Sequence, residues 1–230
     1  MDKVFISLGF GCQVAENLNE LKLRNFSLPF DWTVPHSGVD NIIKTNFKNY
    51  IPKDKFTNSN GDTHAVSLID HTIFPHNKFP EDNEKMQRRI NRFLDLLKEE
   101  KKELIFIKRS HMDNHHVAEY AEKYNWTVKN DIDECEEIHS FLKKTYPKLK
   151  FKIILFLLCS KCFDSNCRSK NIEIYHVSEP NCDFQKKDAM AQAKIKEVLQ
   201  KEIAPPPQYN NIYIHRPQSI TFNPFDPTNA

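Results

Sequence analysis

The spacing of apolar positions changes repeatedly along the chain, and the changes divide it into strands and helices. Val4-Phe5-Ile6 is a short apolar run closed by Gly9 and Gly11; behind it Val14, Leu18 and Leu21 recur at helical spacing. From Glu81 to Glu100, Met86, Ile90, Phe93, Leu94 and Leu97 mark one helical face, while Arg88, Arg89 and Arg92 lie largely off it. Glu103 to Lys108 and Phe151 to Leu158 are compact apolar runs whose length suits a buried strand better than a helix. Between them the pattern predicts a short helix over residues 113–124. A longer one is predicted over Asp131 to Lys144, where Ile132, Cys135, Ile138, Phe141 and Leu142 share a face and Pro147 lies beyond the end. A strand at Asn171 to His176, a helix at Asp188 to Gln200 and an extended piece at Asn211 to His215 complete the series.

One stretch breaks the alternation. Residues 24–65 carry Ser27-Leu-Pro-Phe-Asp-Trp32, Pro35 and Pro52 and are long for a plain connection, which favours a functional loop or cap. Extended segments at Ala65 to Ile69 and Thr72 to Phe74 then lead into Pro75-His76-Asn77. Strands separated by helices of ten or more residues imply crossover connections. The expected fold is therefore a single three-layer α/β domain over residues 1–215, a mostly parallel sheet with helices on both faces, followed by a Pro- and Asn-rich tail at 216–230. In such sheets ligands lie beyond the carboxyl ends of the strands, where Cys12, Arg109 and Cys159 would emerge.

Composition adds limits rather than direction. With 230 residues and 39% hydrophobic content, the chain can bury a sizeable core. A formal net charge of +2 gives no global field that would favour nucleic acid or an anionic membrane. No apolar run approaches a bilayer span and the first residues do not read as a signal peptide, so the expected location is cytoplasmic, the host cytoplasm if the protein is viral. The six cysteines would then be reduced, and the sequons at Asn25 and Asn125 would be chance matches.

Candidate chemistry centres on Cys12, at the point where the first strand hands over to a helix. Free N–H groups around Gly11 to Gln13 and the positive end of the helix dipole would favour a thiolate there and could hold an oxyanion. The competing reading is a small buried hydrophobe under the first turn. Asp31, between two aromatic residues, could orient a histidine or bind a substrate hydroxyl, or simply cap a turn. Arg24, Arg88, Arg89 and Arg92 could hold carboxylate or phosphate in bidentate fashion, or make a solvated helix face. Cys159, Cys162 and Cys167, with Cys182 further on, have spacing compatible with a structural zinc site, against reduced and unligated thiols in a loop. No other cofactor is expected.

Taken together, Ser7-Leu-Gly-Phe-Gly-Cys12, Leu23-Arg24, Ser27-Leu-Pro-Phe-Asp-Trp32, Phe74-Pro-His76 and Arg88-Arg-Ile-Asn-Arg-Phe93 resemble a family of bacterial and viral proteins regarded as papain-like cysteine peptidases. The resemblance covers roughly the first half of the chain. It implies a Cys/His thiol site with Cys12 as nucleophile and His76 as base, and a papain-like α+β layout as the alternative fold. Asp31 or Asn77 could fix the tautomer of His76 if the loops converge; His64, His71, His111, His115 and His116 compete for the base. Gly11, Gln13, Arg24, Trp32, Asn77, Arg88 and Arg109 are then expected to line the substrate.

The leading expectation is a thiol-dependent hydrolase or acyl transferase acting on a peptide, acyl or small anionic substrate. Two others keep the same corner without covalent attack. One is a glycan-modifying transferase with an acyl or nucleotide-sugar donor, and the other is a non-enzymatic small-ligand-binding effector.

Overall fold

The computed structural model describes residues 2–36, 38–57, 61–110, 121–126, 129–158, 169–177 and 184–203. Two four-stranded sheets organise it, one parallel and one antiparallel. The parallel sheet has the order β1-β6-β7-β8, with β1 at Lys3–Ser7, β6 at Glu103–Arg109, β7 at Lys150–Leu157 and β8 at Ile172–His176. Its register pairs Ser7 with Ile107, Arg109 with Phe156 and Leu157 with His176, so the carboxyl ends of all four strands lie along one edge.

Strand alternation sends successive side chains to opposite faces of the parallel sheet. Val4, Ile6, Leu104, Phe106, Phe151, Ile153 and Leu155 join one apolar cluster, which also takes in α2 (Val39–Lys44), α3 (Asn83–Leu96) and α4 (Asp131–Thr145). Phe5, Ile105, Ile107, Ile154 and Phe156 join a second cluster with Val14 and Leu18 of α1 (Gln13–Glu20) and with Ala191, Ile195, Val198 and Leu199 of α5 (Phe184–Ile203). Burial on both faces is why β6 and β7 are continuous apolar runs, each fully buried Ile, Leu or Phe contributing about 1.5–3 kcal/mol.

The stretch expected to form a functional loop or cap supplies most of the second sheet, so the sheet content is mixed rather than mostly parallel. β2 (Val34–Pro35), β3 (Asp54–Thr57), β4 (Thr63–Ser67) and β5 (Thr72–Phe74) pair antiparallel in the order β2-β5-β4-β3. Ala65 and Phe74 face the first apolar cluster, while their neighbours Val66 and Ile73 pack with Phe56 and Trp126 on the other face. That two-residue alternation was hidden among short strands and prolines.

An aromatic group sits under the Ser27–Trp32 turn and fixes its place. Phe30 meets Phe47, Tyr50 and Phe93 at ring distances of 5.3, 5.5 and 5.7 Å, and all four rings are buried. Charge is also buried here and there. Lys108, on β6, pairs with Asp131 at 3.3 Å and with Glu134, and all three side chains are at most 1% exposed. Burial alone would lower the Lys108 ammonium; the charges of Glu134 and Asp131 outweigh it and hold it above its ordinary value. Glu134 also accepts from the N–H groups of Gly38 and Val39 at 2.6 and 2.7 Å, closing the N-terminus of α2.

Residues 121–124 form one helical turn; the rest of the helix expected at 113–124 lies largely outside the described residues, as do the extended piece at 211–215 and the tail. Among the described residues, no helix is long and apolar enough to cross a membrane.

Candidate active site

Cys12 lies just past the carboxyl end of β1, as the residue that caps α1. The connection is tight. Gly9, Phe10 and Gly11 follow one another with φ of +87°, +68° and +93°. Glycine takes these values freely, whereas a left-handed phenylalanine costs on the order of 1–2 kcal/mol, here held by a buried ring. Gly9 is further restricted, because a β-carbon there would lie 2.7 Å from Pro35 Cδ. Gly11 N–H donates to the Thr33 carbonyl at 3.2 Å, which ties the Cys12 turn to the segment carrying Asp31 and Trp32.

Around the thiol, α1 and α5 face each other with matching rows one helical turn apart. Cys12, Glu16 and Glu20 stand on α1, and Asp188, Gln192 and Lys196 on α5, with Glu20 and Lys196 paired at 2.7 Å. Half-buried Cys12 donates its S–H to the Glu16 carboxylate. Burial, then this hydrogen bond and the charge of Glu16, push the thiol up to about 11, with Asp188 adding to the effect and the backbone opposing it. The helix N-terminus is outweighed, so the resting thiol is neutral rather than the thiolate expected there. Arg109, at the end of β6, has a side chain only 3% exposed and donates to Asp188 at 2.6 Å, while its Nε is buried without a partner among the described residues. Burial lowers its guanidinium against the charges of Asp188 and Cys12, so Arg109 and Cys12 share one electrostatic environment. Gln13 opens α1 beside Cys12, and its Oε1 is buried with no partner among the described residues.

The other expected residues form a second group, next to the first through Thr33. Asp31 is buried, and its Oδ2 accepts from Arg24 Nε at 3.0 Å, Arg24 Nη2 at 2.8 Å and the Leu28 N–H at 2.8 Å. Burial raises its carboxyl against the pull of Leu28 and Arg24. Arg24 lies over Trp32 at 5.4 Å, and His76 meets the same indole edge-on at 6.0 Å. His76 is exposed; among the described residues no hydrogen bond joins it to Cys12, to Asp31 or to Asn77. Asn77 is turned instead to Asp82, at 3.2 Å. Arg88 points to solvent with its side chain 64% exposed, whereas Arg89 beside it turns inward.

His111, His115, His116 and the four cysteines of the suggested zinc site, Cys159, Cys162, Cys167 and Cys182, lie outside the described residues. Among the described residues no cluster of His, Cys, Asp or Glu could hold a metal ion. Glu16 and Asp188 are neighbours of the thiol that the sequence reading did not single out. Glu16 was within reach of it, one helical turn after Cys12; Asp188 depends on how α5 docks, which no local pattern encodes.

Fold and corner together define a mixed α/β protein with a cysteine at the carboxyl edge of its parallel sheet. The chain belongs to the family described as "Putative papain-like cysteine peptidase", whose model matches residues 3–161. No curated protein and no solved structure matches it.

Proposed function

We propose that the protein is a thiol-dependent acyl-transfer enzyme, a hydrolase or acyl transferase, with Cys12 as its nucleophile in a three-layer α/β domain. The observation that carries this reading is the placement of Cys12. A half-buried thiol stands at a strained strand-to-helix turn, on the ligand-binding edge of a parallel sheet, with buried Arg109 and its partly exposed partner Asp188 beside it. In the reaction Cys12 Sγ attacks a carbonyl carbon, the thiol proton passes through a base to the leaving group, and a thioester forms. Water or a second nucleophile then takes the acyl group and returns the thiol. N–H groups from Gly11 to Gln13 are the oxyanion donors.

The proton acceptor follows from magnitude. A carboxylate is many orders of magnitude too weak a base to deprotonate a thiol near 11, so Glu16 holds the proton in place rather than removing it. An imidazole is better matched, and His76, exposed beside Trp32, takes the role once substrate displaces Glu16 from the sulfur. Turnover of activated acyl esters by the wild type, Cys12→Ala and His76→Ala tests this. Loss in both variants, with retained thermal stability, supports it; undiminished turnover in Cys12→Ala removes Cys12 from the chemistry.

A second reading draws on the neutral thiol. A small-ligand-binding protein, or a transferase that only seats its donor at this corner, needs no activated sulfur and predicts that Cys12→Ser leaves function intact.

A further inference from the structure

We infer that Arg89, with Arg24 beside it, forms a binding site for the oxyanion group of a ligand, a carboxylate or a phosphate. Four segments far apart in the chain meet there: Arg24 after α1, the Ser27–Trp32 turn, His76 and Asn77 after β5, and the middle of α3.

The argument rests on where each charge is already engaged. Asp31 gives its Oδ2 to Arg24 and to the Leu28 N–H. Asp82 accepts from Asn77 Nδ2 at 3.2 Å and from Lys78 N at 2.9 Å, and pairs with Lys85 at 2.6 Å. Among the described residues these two carboxylates act on Arg89, and both are held by other donors. Arg89 as a whole is only half-buried, but its Nη1 is enclosed and has no acceptor among the described residues. Burial disfavours its charge, and Arg24 adds repulsion. A guanidinium nevertheless stays protonated, and a buried charged donor without an acceptor is a destabilising arrangement unless something supplies one.

Its neighbours on α3 differ. Arg92 donates to the Ser27 carbonyl at 2.9 Å and lies over Phe26, and Arg88 is solvated, 4.0 Å from Glu84. Only Arg89 of the three combines an inward guanidinium with an unmet N–H. Its fork is matched by a planar or tetrahedral oxyanion, which would accept two N–H bonds and offset the repulsion between the two arginines. Trp32 supplies an aromatic wall, with Arg24 over its face and His76 at its edge. The site adjoins the Cys12 turn through Thr33, but oxyanion binding does not require Cys12 to be a nucleophile.

The test is titration of the full chain with inorganic phosphate and, separately, with acetate, at constant ionic strength, followed by calorimetry and thermal unfolding. Cys12→Ser is titrated in parallel, so that failure of the thiol chemistry and failure of anion binding are told apart. The expected result is saturable binding to the wild type, Cys12→Ser and Arg88→Met, weakened by at least about tenfold in Arg89→Met. Whichever anion binds more tightly identifies the group. Arg89→Met without anion should be as stable as the wild type or more so, since it removes an enclosed N–H that lacks an acceptor; Arg89→Lys, which keeps the charge but not the fork, should also bind the anion more weakly than the wild type. Absence of saturable binding by either anion, or equal binding by Arg89→Met, overturns the inference.

Discussion

Replacing Glu16 with glutamine isolates the group that keeps the Cys12 thiol protonated. With the thiol pushed up to about 11, the thiolate is roughly 0.03% of Cys12 at pH 7.5. Burial is the largest cause and survives the substitution, while the hydrogen bond to Glu16 is weakened to that of a neutral amide and its charge is removed. Glu16 is exposed, so water screens its charge, and the expected fall is about one pKa unit at most, or tenfold in thiolate. A less basic thiolate is also less nucleophilic, so the alkylation rate at pH 7.5 rises only about threefold. Iodoacetamide alkylation followed by peptide mass spectrometry reads Cys12 apart from the other cysteines. Wild-type Cys12 should react faster at every step up to about pH 10 without a plateau, and the Glu16→Gln profile should lie about one unit lower. A wild-type plateau below about pH 9, or superimposable profiles, would refute the reasoning.

Three further outcomes follow from the same structure. Lys108→Met leaves Asp131 and Glu134 buried without their cation, and should destabilise the fold by about 3–5 kcal/mol in urea unfolding; a change under about 1 kcal/mol would mean that the pair is not buried in solution. Gly9→Ala forces a β-carbon against Pro35 at φ +87° and should lower stability by more than about 1 kcal/mol while slowing any Cys12 chemistry; an unaffected melting curve would contradict the turn. Asp70 is buried with both carboxylate oxygens unpartnered among the described residues, and burial pushes it up to about 6. The folded state therefore binds this proton more tightly than the unfolded chain does, so a stability contribution present below about pH 4 is lost as pH rises through about 6. Asp70→Asn should stabilise by about 1–2 kcal/mol at pH 7.5 and not at pH 4, and a gain that is equal at both values would exclude this cause.

What could be read in advance was whatever burial writes locally. β6 and β7 are apolar on both faces, and α3 carries a stripe at helical spacing, so each was recognisable with ends displaced by a few residues. The antiparallel sheet was harder because β2 has two residues and β3 shows one buried residue in four, Phe56. Extended segments at 65–69 and 72–74 were visible, but their partners were not. At the site, Cys12 stood out because two glycines, Gly9 and Gly11, precede it at the end of an apolar run. Its thiol state did not, because that depends on the docking of α5 and on a carboxylate one turn away. Arg88 and Arg89 are adjacent in sequence and separated by about 100° around the helix axis, so only the helix's rotation against the Ser27–Trp32 turn decides which of them faces inward. Lys108 ends an apolar run and would ordinarily be exposed; its burial is legible only once Asp131 and Glu134 are known to lie over it.

The most direct test of the central claim is to trap the acyl-enzyme. Protein treated with an activated acyl ester, quenched in acid and digested, should carry the acyl group on Cys12 as a hydroxylamine-labile thioester, with the label absent from Cys12→Ala and slow to form in His76→Ala. Acylation spread over the cysteines at the rate of a free thiol, or none on Cys12, would contradict a nucleophilic role and leave the corner as a ligand-binding site.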